Sequence, residues 1–523
     1  MATANATCPT QRGESFRSGW LMFGIIALWT TLSYPLIVRT GSVIVDGFQS
    51  LGAVAGASSP GALRWPMLGG FLAYDQTWGF HWIGWPLLRS LLLPVLPWNS
   101  TIDLGICCII WGGMAWVLFR MVRRYEGQLV AFSVAITALI APGFIVAAQS
   151  YRPEIPTAFA LVMALSLWNQ SSPFKRSLCF LLCAILPTLH PLGLLVPGAW
   201  CGFDFLVGWK REGFIRAFRF ATIRALPLLL GCGLLVVWFV SRPLAWTQFK
   251  MNLESQRMMI DGLGTGYATF FRWGLGSLGS VPLIVLLGTS AVFGLWRITR
   301  SFRSSDNAET DAVVLAAVGV VIALGFNILA KNPNSLHVVA ILPLAAWLFV
   351  SAIRTVSPRL SGISFLVPLG FAWCVFLALP IKQGVSLSKH RGVGYRDELT
   401  AGLKSLPETR CVLIPVAMWE AAVSVPDSAT SYRFSTFPNL MSNSQRADYE
   451  RMLLAETLPG DLLVWDALQD YGGIFNFVTS TALRHQVIRP MDDGAAWERL
   501  PDLMLQTVYT KNQTAVFEVY RKR

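Results

Sequence analysis

The chain has 523 residues, 54% hydrophobic and only 14% charged, with a mean hydropathy of +0.52. That balance excludes an ordinary soluble domain and a disordered chain, and it is the balance of a polytopic membrane protein. The net charge of +13 does not point to nucleic acid, because the cations gather in alternate short loops: Arg120, Arg123 and Arg124; Lys175 and Arg176; Lys210, Arg211, Arg216 and Arg219; Arg297, Arg300 and Arg303; Arg354 and Arg359. This is the positive-inside pattern, so the charge sets topology.

In chain order, a polar head with Arg12 and Arg17 precedes an apolar run over 20–38. No small-residue cleavage site follows it, so it reads as an anchor that leaves the head in the cytoplasm. The loop over 39–85 then falls outside. It carries Asp46 in Val45-Asp46-Gly47 and the aromatic segment Tyr74-Asp75-Gln76-Thr77-Trp78-Gly79-Phe80-His81-Trp82. Residues 86–95 are too few to cross and suggest an interfacial helix.

Further spans are predicted over 102–121, 129–148, 155–168, 178–189, 192–207 and 225–240. A long outer loop over 241–279 follows, and then spans over 281–296, 312–329, 336–352 and 363–379. The total is about eleven, and an odd number places the tail on the side opposite the head. His190-Pro191 joins two short spans as a turn, since the residue before a proline disfavours helix.

Residues 381–523 read as a water-soluble α/β domain outside the cytoplasm, after a membrane domain over 1–380. Strands are predicted over 410–415, 461–465 and 514–520, with a helix over 445–456. No phosphate loop or metal cluster marks this tail, so it reads as a cap or docking surface. Of nine cysteines, Cys107, Cys108, Cys179, Cys183, Cys201, Cys232 and Cys374 lie in apolar blocks and act as small hydrophobes, while Cys8 and Cys411 stand alone. No disulfide framework or zinc spacing is visible.

The chemistry gathers at the outer face. Asp46 and Asp75 are either solvated loop acids or functional carboxylates. Asp46 follows closely on a span, and the aromatics around Asp75 would raise a carboxylate's basicity. Arg152-Pro153-Glu154 opens a span, as a snorkelling pair or as part of a site. His81, His190 and His337 are all assigned outside and, with the carboxylates, offer ligands for a divalent ion, although they show no ligand spacing. Asp261-Gly262-Leu263-Gly264-Thr265-Gly266 has the look of a phosphate loop but follows no strand and lacks the lysine. Arg242, Lys250, Arg257, Arg272 and Lys331 make the outer surface cationic, which suits a lipid phosphate.

A short basic head, one span, an outer loop with an early Asp, and a later aromatic segment leading into an interfacial helix together resemble the GT-C superfamily of polyprenyl-phosphate-sugar glycosyltransferases. The branch with protein O-mannosyltransferases and the aminoarabinose transferase of lipid A is nearer. Tyr151-Arg152-Pro153-Glu154, Thr188-Leu189-His190-Pro191-Leu192-Gly193, the segment over 332–343 (NPNSLHVVAILP) and the soluble tail also match. The chain departs from the common pattern in having Asp46-Gly47 where an Asp-Glu pair is usual, and His190 where a Lys often stands.

The resemblance implies an inverting sugar transfer outside a bacterial cytoplasmic membrane, from a polyprenyl-phosphate donor to an envelope lipid, glycan or protein, with no nucleic-acid partner. Asp46 would be the general base, and Asp75 and Glu154 would orient the acceptor or hold a divalent metal. Arg152, Arg257, Lys331 and His337 would face the leaving phosphate, and His81, Trp78 and His190 would line the substrate site. The competing readings are a transporter, which should place charge at mid-membrane, and a catalytically inactive scaffold of the same fold.

Overall fold

A computed structural model describes residues 9–40, 51–57, 59, 63, 83–149, 151–242, 246, 280–303, 311–329, 335–356, 362–389, 393, 395–415, 418–425, 430–435, 443–466, 496–506 and 514–523. Each of the eleven expected spans falls on a helix: α1 Pro9–Thr40, α3 Ser100–Glu126, α4 Gln128–Leu139, α6 Glu154–Leu167, α7 Pro173–Leu189, α8 Pro191–Glu212, α9 Phe214–Val240, α10 Ser280–Arg303, α11 Ala312–Leu329, α12 Leu342–Val356 and α13 Leu366–Lys389. Long apolar segments in lipid must satisfy their own backbone groups, and helices do so within one segment. Seven of the described helices are long and apolar enough to cross a membrane, and several shorter apolar ones accompany them. The chain is an integral, multi-pass membrane protein.

Among the described residues this part also has the short helices α2 Gly84–Ser90 and α5 Phe144–Gln149 and a single helical turn, Ala53–Ala55. The predicted interfacial helix over 86–95 is α2, shorter and shifted, with turns over 91–95. The span predicted over 129–148 is broken. Pro142 lacks a backbone donor and Gly143 takes φ 104, so the chain leaves α4 and restarts as α5. The span predicted over 336–352 likewise begins as a 3-10 turn, Ser335–Ile341, ahead of Pro343 in the first turn of α12. Gly127 and Gly213, with φ of 88 and 85, turn α3 tightly into α4 and α8 into α9.

The helices pack neighbour to neighbour. α3 lies against α1, α4 and α6; α6 against α7; α7 against α9; α9 against α8; α8 against α11; α11 against α10; α10 against α12; and α12 back against α4. Of the long spans, the one running from His337 into α12 is the most enclosed, 83% buried, whereas α1 and α13 lie at the periphery, at 17% and 18%. Because α3 runs from Ser100 to the arginines at 120–124, the bundle has a basic end and an opposite end.

The tail docks on that opposite end. Its sheet is ordered β2-β1-β3-β5-β4, with β1 Cys411–Ile414, β2 Ser431–Phe434, β3 Leu462–Asp466, β4 Trp497–Gln506 and β5 Thr514–Lys522. The first three strands are parallel, and β5 runs antiparallel to both β3 and β4. The three predicted strands are β1, β3 and β5. β2 and β4 lie outside the predicted strands, because Ser431–Phe434 is only four residues long with a central Arg433, and Pro501 within β4 weakens the strand signal. The helices α14 Tyr395–Lys404, α15 Trp419–Ser424 and α16 Asn443–Glu456 flank the sheet.

Arg396 and Trp419 join tail and bundle. Arg396 of α14 donates to the carbonyls of Ile37, Val38 and Gln149 and forms an ion pair with Glu420 of α15 at 2.7 Å. Trp419 lies against Trp98, ring centroids 6.2 Å apart.

Candidate active site

The site grows from an unusual helix end. α5 closes with the Tyr151 N–H donating to Ala148 O at 3.0 Å and the Arg152 N–H to Ala147 O at 3.0 Å, the paired bonds of a Schellman motif. The left-handed position of that motif, which normally belongs to glycine, is held by Tyr151 at φ 51. A bulky residue there costs about 1–2 kcal/mol. Its ring offsets this by packing, fully buried, against Trp85 of α2 at 5.2 Å. The turn delivers Arg152 inward, and Pro153 starts α6 with Glu154 in its first turn, where a carboxylate suits the helix dipole.

Arg152 holds Glu154 through two bonds, Nη2 to Oε1 at 2.7 Å and Nε to Oε2 at 3.1 Å, both side chains buried. His190 completes the cluster. Its extended backbone, φ −165 and ψ 152, sits between α7 and α8, and its Nδ1 accepts the Leu192 N–H at 3.2 Å as the cap of α8. With Nδ1 committed as acceptor, a neutral ring carries its proton on Nε2, which lies 3.4 Å from Glu154 Oε1. His337, on the 3-10 turn that packs against α6, sets its ring 4.9 Å from that of His190 in a T-shaped contact.

Glu154, His190 and His337 bring their donor atoms within 4.8 Å of one another, a donor set chemically suited to a divalent ion. The fit is poor in this arrangement, because both oxygens of Glu154 already accept from the Arg152 guanidinium. A cation would have to displace Arg152 and then stand beside it. The cluster is therefore a hydrogen-bonded charge group.

Both ends of the first loop converge here. At one end, Gln149 Nε2 donates to Leu36 O at 3.2 Å, and Arg396 fastens Ile37 and Val38 beside Gln149. At the other, Gly84 lies so close to Thr188 that an added Cβ would meet its backbone at 2.9 Å, and Trp85 covers Tyr151. The described residues that flank the first loop, 36–40 and 83–85, thus stand at the edge of the cluster. Of the sequence-derived candidates, Arg152, Glu154, His190 and His337 are brought together. Asp46, Asp75, Trp78, His81, Arg257, Lys331 and the glycines of 262–266 lie outside the described residues.

Sequence reasoning missed two supports. Arg89 and Asp103 form a fully buried ion pair that ties α2 to α3, with Arg89 also donating to Leu96 O at 3.0 Å and Pro97 O at 3.2 Å. The Asn99 N–H donates to Asp103 Oδ2 at 3.3 Å, and Asn99 itself caps α3. The available signal was an Arg in a leucine-rich stretch and an Asp near a span's start, since ionisable groups at such places need a partner. The other support is Arg396, which no local pattern in the tail marks.

No protein-family model matches the chain, and no curated protein matches it in sequence. Solved structures do match in fold. ArnT from Cupriavidus metallidurans in the apo state aligns over 96% of this chain and 98% of its own, with TM-score 0.56 and 12% identity. The same protein bound to undecaprenyl phosphate aligns over the same shares with TM-score 0.53 and 12% identity. An oligosaccharyltransferase from Archaeoglobus fulgidus aligns over 94% of this chain and 72% of its own at 13% identity, with a TM-score of 0.43. From first span to tail sheet, the chain shares the fold of the ArnT structures.

Proposed function

We propose that the protein is a membrane glycosyltransferase that moves a sugar from a polyprenyl-phosphate donor to an envelope acceptor, at the end of the bundle where the tail docks. The observation that carries this is the buried Arg152–Glu154–His190 cluster, with the partly exposed His337 against it, beneath both ends of the first loop, in a fold whose ArnT example holds undecaprenyl phosphate. The basic loops gather at the other end, and by the positive-inside rule this supports a reading with this end and the tail outside a bacterial cytoplasmic membrane.

In this reading Asp46 takes the proton of an acceptor hydroxyl or amine as the acceptor attacks the anomeric carbon. The bond from that carbon to the phosphate oxygen breaks with inversion, and polyprenyl phosphate leaves with the bonding pair. Stabilising that developing charge is the principal electrostatic task. Arg152 supplies a cation whose orientation Glu154 fixes, and His190 holds Glu154 in turn. His337 is the member of the cluster least enclosed by the protein, so it and the first-loop residues Asp75, Trp78 and His81 are assigned to the substrates, with Arg257 and Lys331 on the phosphate.

The test is purified protein given radiolabelled undecaprenyl-phosphate sugars with membrane and envelope fractions. Transfer, or slow hydrolysis of the donor, supports the reading. A donor that neither binds nor turns over with any fraction sinks it. Asp46→Asn should keep donor binding while transfer falls by roughly two to four orders of magnitude, and near-normal transfer would remove Asp46 as the base.

A further inference from the structure

The basic end of the bundle holds two cavities that share Gln170 as a wall. In the larger, about 620 Å³, the charges answer one another: Arg297 donates to Asp311 at 3.0 Å, and Glu126 accepts from Trp347 Nε1 at 2.7 Å and Ser351 Oγ at 2.8 Å. The smaller, about 330 Å³, is different. It lies between α3 and the turn from α6 to α7, and its lining includes Arg120, Arg124 and Lys175 but no carboxylate. Lys175 Nζ donates to the neutral Gln170 Oε1 at 3.1 Å, and neither arginine has an ion-pair partner among the described residues.

The arrangement along the membrane normal is also specific. Trp116, Arg120 and Arg124 follow one another at four-residue spacing, so they form one stripe of α3 with Trp116 about 12 Å deeper than Arg124. Trp116, Val117 and Leu167 make the deeper wall. Three cations therefore stand at the level of a membrane surface above an apolar cleft. Balancing topology needs cations somewhere in these loops, but it does not need them to converge on a cavity.

We propose that this cavity binds one anionic membrane lipid, with its headgroup phosphate between Arg120, Arg124 and Lys175 and the start of its acyl chain against Trp116, Val117 and Leu167. Guanidinium groups match phosphate oxygens in geometry and charge, and basic pockets between membrane helices take such headgroups. A free phosphate would meet the same cations but would leave the apolar wall unused. The site stands at the end of the bundle opposite the Arg152–Glu154 cluster, so it is separate from the donor site.

Native mass spectrometry of the full-length protein, titrated with phosphatidylglycerol, phosphatidylcholine of the same chains, or inorganic phosphate, tests this. One phosphatidylglycerol should be retained at least about tenfold more tightly than phosphatidylcholine, a difference near 1.4 kcal/mol. Arg120→Gln/Arg124→Gln/Lys175→Gln should weaken it by about two orders of magnitude, three surface cations each contributing. The matched Arg176→Gln/Arg216→Gln/Arg219→Gln, which removes the same charge from the same end, should leave it unchanged. Because removing cations also perturbs topology, Leu167→Trp, which fills the cleft and keeps every charge, should abolish the tight lipid too. Equal loss in the matched variant, retention by Leu167→Trp, equal affinity for phosphatidylcholine, or inorganic phosphate binding as tightly as the lipid would each overturn the proposal.

Discussion

His190 faces two elements at once: Nδ1 accepts the Leu192 N–H at 3.2 Å, and Nε2 stands 3.4 Å from Glu154. Capping and charge orientation can be separated by substitution. His190→Asn keeps an acceptor for the Leu192 N–H but loses reach to Glu154, so its stability loss should be that of the Glu154 hydrogen bond alone, about 1.5–3 kcal/mol. His190→Ala loses the cap as well and should cost about 1 kcal/mol more than His190→Asn. Both should lower transfer alike, by roughly ten- to a hundredfold, the worth of a hydrogen bond to a charged group. Full activity in His190→Asn would leave the ring with a capping role alone.

Arg152 and Glu154 should behave as one unit. Arg152→Ala leaves a carboxylate with 0% exposure facing no guanidinium, which costs about 3–5 kcal/mol. Arg152→Ala/Glu154→Gln should recover much of that stability and none of the transfer activity. Equal stability of the single and double variants, read by denaturant melts in detergent, would show that the two side chains do not support each other.

Arg396 couples the tail to the exit of α1. Arg396→Gln should loosen both the tail and the root of the first loop, and it leaves Glu420, itself 4% exposed, without its ion pair. Limited proteolysis should then cut the segment over 41–82 faster, with transfer falling although no substrate touches Arg396. An unchanged cleavage rate would confine Arg396 to the tail's own stability.

The tail should weaken at alkaline pH. Burial pushes the Cys411 thiol from its ordinary value near 9 up to about 11, and Tyr520 rises to about 12 through burial and then its bond to Glu518. A group whose folded pKa is raised contributes stability that is complete below the unfolded value and is lost as pH climbs through the folded one. For Cys411 that window runs from about 9 to about 11. Melting of the tail followed from pH 8 to 11 should fall across that window, and less steeply in Cys411→Ala. A flat profile in the native protein would contradict the burial that raises the thiol.

How much of this was legible in the chain follows from the range of each interaction. Membrane spans are local: a run of apolar residues must satisfy its backbone internally, so composition over about twenty residues is enough to place a helix. The same holds for the His190-Pro191 break between α7 and α8, and for the basic loops that mark one end of the bundle. The breaks in the spans at Pro142-Gly143 and before Pro343 were written locally too, but the apolar composition around them hid the signal.

The candidate site was legible only as a set of residues on one side. Arg152 and Glu154 are neighbours in sequence, yet nothing local states that Tyr151 takes the left-handed position of a Schellman turn, because that cost is met by Trp85, far away in the chain. The meeting of Glu154 with His190 and His337 depends on α6 packing against both α7 and the 3-10 turn at Ser335–Ile341. Arg396 reaching Ile37 spans nearly the whole membrane domain. The sequence by itself determined which segments form long apolar helices and at which ends of them the charged residues gather. Only the tertiary structure decided which of those ends share a site, because helix packing sets distances between residues that hydropathy treats as independent.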